Sequence, residues 1–255
     1  MYDINIRLVV IVMDIKALIK SKADNEYIYK NELYEWIALE HPNYSKASYR
    51  WAIYNLVHSG LITKIGKNLF IQGHKRKYAY EYVGATHKQI IHYFEKEFPN
   101  ITAVIYESTI LNEWLNHQLA RNIVFVEVDK FYSDIIFEKL RNNIQSNILI
   151  KPKTDEFTRY AENNTIIIHN LVTQAPTNKH SYEIKLEKLI VDFFSEPSLK
   201  MLYSGSELTP MLELIFQQYV IEQKKMFAYA KRRKCDQKIK QYIYQNTNIR
   251  LFEDK

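Results

Sequence analysis

The sequence predicts an α/β (α+β) protein: an N-terminal winged helix-turn-helix, then a mixed-sheet α/β domain with a C-terminal helical cap. Three observations carry this. The first part of the chain runs helix, helix, helix, hairpin; short apolar strands then alternate with helical stretches; and beyond residue 182 helical periodicity takes over. Five Gly and six Pro in 255 residues suit long elements rather than a turn-rich sandwich, and 47% apolar against 25% charged residues allows a full core.

Ile4 to Ser21 reads as a helix, with strand as the alternative because of the β-branched run Val9 to Val12. Asn31 to Glu40 reads as a short amphipathic helix with Leu33, Trp36, Ile37 and Leu39 apolar, stopped by His41-Pro42-Asn43. Ser45 is a good N-cap for a third helix, whose buried stripe is Tyr49, Ala52, Ile53, Leu56 and Val57, and Gly60 ends it. Leu61–Ile65 and Leu69–Ile71 flank the polar turn Gly66-Lys67-Asn68 and predict a hairpin.

Gly73 to Lys77 reads as a junction, which places the winged-helix domain in residues 1–75 and the α/β domain in residues 76–255. Beyond it the predicted strands are Lys77–Val83, Ala103–Tyr106, Ile123–Val128, Asn147–Ile150 and Thr165–His169. The predicted helices between them are His87–Phe98, Ser108–Asn116 and Ser133–Arg141. Thr173–Ser181 is a polar loop, and Tyr182–Phe194, Glu207–Gln218 and Glu222–Tyr244 are mostly helical.

Charge is concentrated. The net charge is +6, yet between His41 and Tyr80 there are seven basic residues and no acidic ones. The remaining twenty-eight basic residues face twenty-nine acidic ones. An unopposed cationic window on one small module is an electrostatic footprint for double-stranded DNA. Lys46 and Arg50 stand one helical turn apart, off the apolar stripe, with Ser48, Trp51, Tyr54 and Asn55 also available. Lys64, Lys67 and Asn68 are placed like a wing, and Lys75, Arg76 and Lys77 add backbone contacts at the junction. A docking module with a solvated lysine face is the structural alternative. A second basic run, Lys224-Lys225, Lys231 to Lys234, Lys238 and Lys240, reads as a solvated helix face.

A single cysteine, Cys235, excludes an internal disulfide framework and a multi-cysteine zinc site and suits a cytoplasmic protein. The run Ile4 to Ile19 contains Arg7, Asp14 and Lys16 and is too short and too charged to span a bilayer, so no membrane role is expected.

No phosphate-binding glycine loop and no metal-spaced histidine pair occurs, and the sequence predicts no catalytic set, no metal and no cofactor. The enzymatic alternative is a magnesium-dependent nuclease, or a degenerate one, in which Glu107, Glu127, Asp129 and Lys130 converge at one sheet edge. Its weakness is that Lys130 stands one residue off the usual acid-x-lysine order. A third possibility is a regulator with a ligand-sensing C-terminal domain, signalled by a well-formed apolar pocket. Gly205-Ser206 reads as a turn before a helix, and His117 and His169 as structural.

The stretches Ser108-Thr109-Ile110-Leu111-Asn112-Glu113-Trp114 to His117-Gln118, and Phe125-Val126-Glu127-Val128, carry a resemblance. So do Leu186-Glu187-Lys188-Leu189-Ile190-Val191-Asp192 and Tyr229-Ala230-Lys231-Arg232-Arg233. With the order of domains, they resemble the AbiEi-like antitoxins of type IV toxin–antitoxin (abortive infection) systems and a related bacterial domain of uncharacterised function. The resemblance implies a transcriptional autorepressor whose N-terminal domain binds inverted repeats in its promoter. It also implies a C-terminal domain that counters a nucleotidyltransferase toxin without a stable complex. Lys46, Ser48, Arg50, Lys64 and Lys67 carry over as DNA contacts; no antitoxic residue can be assigned.

Overall fold

In a computed structural model, residues 15–21, 27–80, 84–178 and 181–252 are described. The contacts divide the chain into two units, one of residues 1–77, 218–222 and 249–255, the other of residues 78–217 and 223–248.

In the first unit residues 15–21 are helical (α1); residues 4–14 of the helix expected there lie outside the described residues. A strand follows, β1 (Tyr27–Tyr29), whose three residues are too few to show a period in the sequence. Next come α2 (Lys30–Glu40), α3 (Lys46–His58), β2 (Ile62–Gly66) and β3 (Leu69–Gln72). The sheet order is β1-β3-β2, all antiparallel. Ile15, Ile19, Ile28, Leu33, Ile37, Ile53, Leu56, Ile62 and Phe70 form its core. Leu39, expected in the apolar stripe of α2, is instead 80% exposed. Gly60 ends α3 with φ +73°, a conformation that suits glycine.

Two later segments complete this unit. Arg76 N–H donates to the Gln218 carbonyl (2.9 Å) and Val220 N–H to the Arg76 carbonyl (3.0 Å). The Tyr27 hydroxyl donates to the Arg250 carbonyl (2.8 Å), and its ring meets Phe252 edge-on.

The second unit begins with Tyr78–Tyr80, where a strand was expected over Lys77–Val83. Lys77–Tyr80 form no strand, and residues 81–83 lie outside the described residues. The alternation there has another cause: Tyr80 is buried and its hydroxyl accepts from Glu107 N–H (2.9 Å) and contacts His87 Nδ1 (3.1 Å). The elements that follow are α4 (Ala85–Glu97), β4 (Ala103–Glu107), β5 (Ile123–Val128), α5 (Ser133–Asn143), β6 (Ile148–Ile150), α6 (Thr154–Tyr160) and β7 (Thr165–Asn170). Ser108–Glu113 is a 3-10 helix rather than an α-helix.

The four strands form a mixed sheet of order β4-β5-β7-β6, with β4 antiparallel to β5 and the other pairs parallel. One face, carrying Ala103, Ile105, Val124, Val126, Val128, Ile166 and Ile168, packs on Ile90 and Phe94 of α4 and Ile136 and Leu140 of α5. Period-two alternation sends Tyr106, Phe125, Glu127 and His169 to the other face.

The chain ends in helices: α7 (Leu186–Ser195), α8 (Pro197–Lys200), α9 (Leu208–Gln218), α10 (Gln223–Arg232) and α11 (Asp236–Asn246). The helix expected over Glu222–Tyr244 is broken into α10 and α11 at Arg233–Cys235, where Lys234 has φ 55°. Among the described residues, no helix is long and apolar enough to cross a membrane.

Candidate nucleic-acid interface and buried ionic cluster

In the first unit, Ser45 Oγ caps α3 by accepting from Ser48 N–H (3.2 Å). The helix contains no acidic residue and buries Ile53 and Leu56. Its exposed positions are Lys46, Ala47, Arg50, Trp51, Tyr54 and His58, with Trp51 54% and Tyr54 62% exposed. Tyr54 stacks on His58 with ring centroids 5.8 Å apart. Ser48, an expected DNA contact, is half-buried, and its hydroxyl lies 3.0 Å from Ser45 Oγ, where it serves the cap.

The hairpin turns through Lys67-Asn68, between the paired residues Gly66 and Leu69. Lys64, Lys67 and Asn68 are exposed. Among the described residues, no ion pair engages Lys46, Arg50, Lys64 or Lys67. The junction cations divide. Lys77 is exposed, whereas Lys75 is half-buried, and burial lowers the pKa of its ammonium. Arg76 places its guanidinium 5.2 Å over the Tyr219 ring and donates to Gln218 Oε1 (3.4 Å). Sequence spacing alone could not separate these two from their neighbours, because the groups that engage Arg76 lie more than a hundred positions downstream.

The residues of the nuclease alternative do not converge. Glu107 pairs with Val124, and Glu127 with Val104, so the two lie three positions apart along the ladder and on opposite faces of the sheet. Their backbones are separated by about 10 Å along the strands. Glu107 faces α4, where its carboxylate accepts from Gly84 N–H (3.1 Å) and Asn122 Nδ2 (2.9 Å) and so anchors the start of that helix. Asp129 accepts from Phe131 N–H (3.0 Å), and the exposed Lys130 lies over the Phe131 ring. Among the described residues, no group of His, Cys, Asp and Glu is arranged to hold a metal.

Glu127 belongs to a different constellation. On the α7 face of the sheet, fully buried Lys188 Nζ donates to Glu127 Oε1 and to Asp192 Oδ2, each at 2.5 Å. Tyr229 on α10 donates to Asp192 Oδ1 (3.0 Å), and Arg233 lies 3.6 Å from both Asp192 and Glu196. Burial alone lowers the pKa of the Lys188 ammonium, but Asp192 and Glu127 outweigh it and hold that pKa above its ordinary value. Burial pushes Glu127 up to about 7 against the opposing pull of Lys188. The Tyr106 hydroxyl, also fully buried on this face, has no hydrogen-bond partner among the described residues.

Where the cluster approaches the surface, His169 Nε2 lies 3.4 Å from Ser198 Oγ and 3.6 Å from Glu196 Oε1. A proton relay needs serine and carboxylate on opposite imidazole nitrogens; here both share Nε2, so these three residues do not form one. Arg233, expected on a solvated face, is committed to this cluster. Its sequence signal was Lys188 and Asp192 four residues apart within the otherwise apolar Leu186–Phe194. A cleft of about 730 Å³ in the same unit is lined by Ile91, Glu95, Ile101, Asn178, Tyr182 and Glu183. Its lining is about as polar as it is apolar.

The fold and sites define a mixed α/β protein with a cationic helix-and-hairpin module and a sheet braced by a buried lysine–carboxylate cluster. The chain belongs to DUF6577, a family of unknown function, whose model matches residues 48–249. No curated protein matches it.

Proposed function

We propose that the first unit is a winged helix-turn-helix that binds double-stranded DNA, with α3 in the major groove and the β2–β3 turn as the wing. The chain is then a transcriptional regulator of the antitoxin kind, repressing its own promoter and countering a nucleotidyltransferase toxin. The observation that carries the DNA reading is the acid-free outward face of α3, on which Lys46 and Arg50 are exposed, together with the exposed hairpin cations Lys64 and Lys67 of the same unit. The order α1-β1-α2-α3-β2-β3, with β3 central in the sheet, supports it as the element order of a winged helix. The antitoxin role rests on the resemblance given above.

The test is anisotropy titration of the full-length protein with its upstream promoter duplex. Lys46→Ala, Arg50→Ala and Lys67→Ala together should abolish tight binding; unchanged affinity refutes the assignment of reading helix and wing. For the antitoxin role, co-expression with the product of a neighbouring nucleotidyltransferase-like reading frame should restore growth. The absence of such a frame, or failure of rescue, removes that role while leaving DNA binding to stand.

A further inference from the structure

We propose that α3 discriminates among DNA sequences chiefly by covering thymine methyl groups with Trp51 and Tyr54; this rests on the DNA-binding reading above. The outward face offers few groups that read bases by hydrogen bonding. Lys46 and Arg50 suit the guanine acceptor edge, but α3 has no carboxylate to accept from cytosine, and Asn55, suited to adenine, is half-buried. What the face offers instead is apolar surface. Ala47, Trp51, Tyr54 and His58 recur at helical spacing and form one stripe beside Arg50. The Tyr54 ring stacks against His58 one turn along, a contact that favours its place in the stripe.

The C5-methyl of thymine is the apolar feature that the major groove displays, and it is the natural complement of such a stripe. Charge selects the class of partner. The helix carries Lys46 and Arg50 with no acid, so an apolar surface docking there must come with anionic surroundings, as a thymine methyl does between phosphates. A second copy of the chain docking through the same cationic face is disfavoured by repulsion.

The experiment enriches a randomised duplex pool on the full-length protein and then synthesises the selected sequence with thymine and with deoxyuridine, which lacks only the methyl. Affinity should fall by about fourfold for each methyl covered, the equivalent of one buried methylene-sized group. Trp51→Ala and Tyr54→Ala should weaken binding to the thymine duplex and shrink the thymine-to-uracil ratio towards one; both side chains are exposed, and circular dichroism checks that the variants fold. Equal affinity for the two duplexes overturns the inference and leaves DNA binding standing. No retention on any duplex at low salt overturns both. Self-association in sedimentation that Trp51→Ala abolishes assigns the aromatic stripe to a protein interface and likewise overturns the inference.

Discussion

Lys188 on α7 and Glu127 at the end of β5 meet at 2.5 Å, joining a helix to the sheet across 61 positions of sequence through a lysine with no exposed surface. The same ammonium holds Asp192 one turn further along α7, so one cation answers two buried carboxylates. Such a cluster is weak evidence for extra stability, because desolvation offsets much of the attraction, but it makes each member dependent on the others.

Lys188→Met therefore strands Glu127 and Asp192 without their partner. The expected loss is about 3–5 kcal/mol in urea unfolding. Adding Glu127→Met removes one of the two buried carboxyl groups left without a partner, so the double variant should recover part of the loss. A double variant less stable than Lys188→Met would show that Glu127 is stabilised by something other than the lysine.

Glu127 and His87 give the second unit opposing pH dependences. The Glu127 carboxyl, pushed by burial up to about 7 from 4.5, keeps a proton in the folded chain that the unfolded chain releases between those values. Stability therefore falls as pH rises through that window and levels off above it. Burial lowers His87 from 6.5 to about 4, so there the unfolded chain holds the extra proton and stability rises with pH between 4 and 6.5. Burial lowers the His169 pKa too, which adds to the same side. The wild-type curve should be nearly flat across the overlap. Glu127→Gln should make stability climb with pH, and His87→Asn should make it decline, each by about 2–3 kcal/mol. Urea midpoints across the window check this, and parallel curves for all three proteins would contradict it.

Gly84 stands at the start of α4 with its N–H on the Glu107 carboxylate, and a Cβ there would run into that carboxylate. Gly84→Ala should cost about 1–3 kcal/mol through overpacking at a buried charge. Because both residues act through one contact, Gly84→Ala and Glu107→Ala together should cost less than the sum of the single variants. Strict additivity in a thermal-unfolding cycle would mean the carboxylate moves aside freely.

Where local chemistry decides an element, the sequence was legible. Ser45 and Gly60 bracket α3, and the apolar run Ile123–Val128 is a strand of those same bounds. What stayed hidden depended on distance along the chain. The three residues of β1 gain their structure from pairing with β3, and 218–222 and 249–252 have no local mark that ties them to the first unit. The ionic cluster was hidden for the same reason: Lys188 and Asp192 could be paired by helical spacing, but nothing in the chain predicted that Glu127 would face them instead of Glu107. The parity of the strand decides that, since positions 124 and 127 point to opposite faces.

That same distinction between visible charge and available charge sets the expected salt dependence of DNA binding. Six cations of the window are exposed, but one of them, Arg76, is engaged by Gln218 and Tyr219, which leaves five, Lys46, Arg50, Lys64, Lys67 and Lys77; Lys75 is half-buried. If those five neutralise phosphates, affinity should fall with a log–log salt slope of about −4 to −5. Each of Lys46→Ala, Arg50→Ala and Lys67→Ala should lessen the slope by about one. Lys75→Ala should leave it unchanged. Arg76→Ala should also leave it unchanged while lowering the stability of the first unit, since the exposed guanidinium is held over Tyr219 and on Gln218. A slope that drops by one in Arg76→Ala would mean that the arginine leaves Tyr219 for a phosphate when DNA binds.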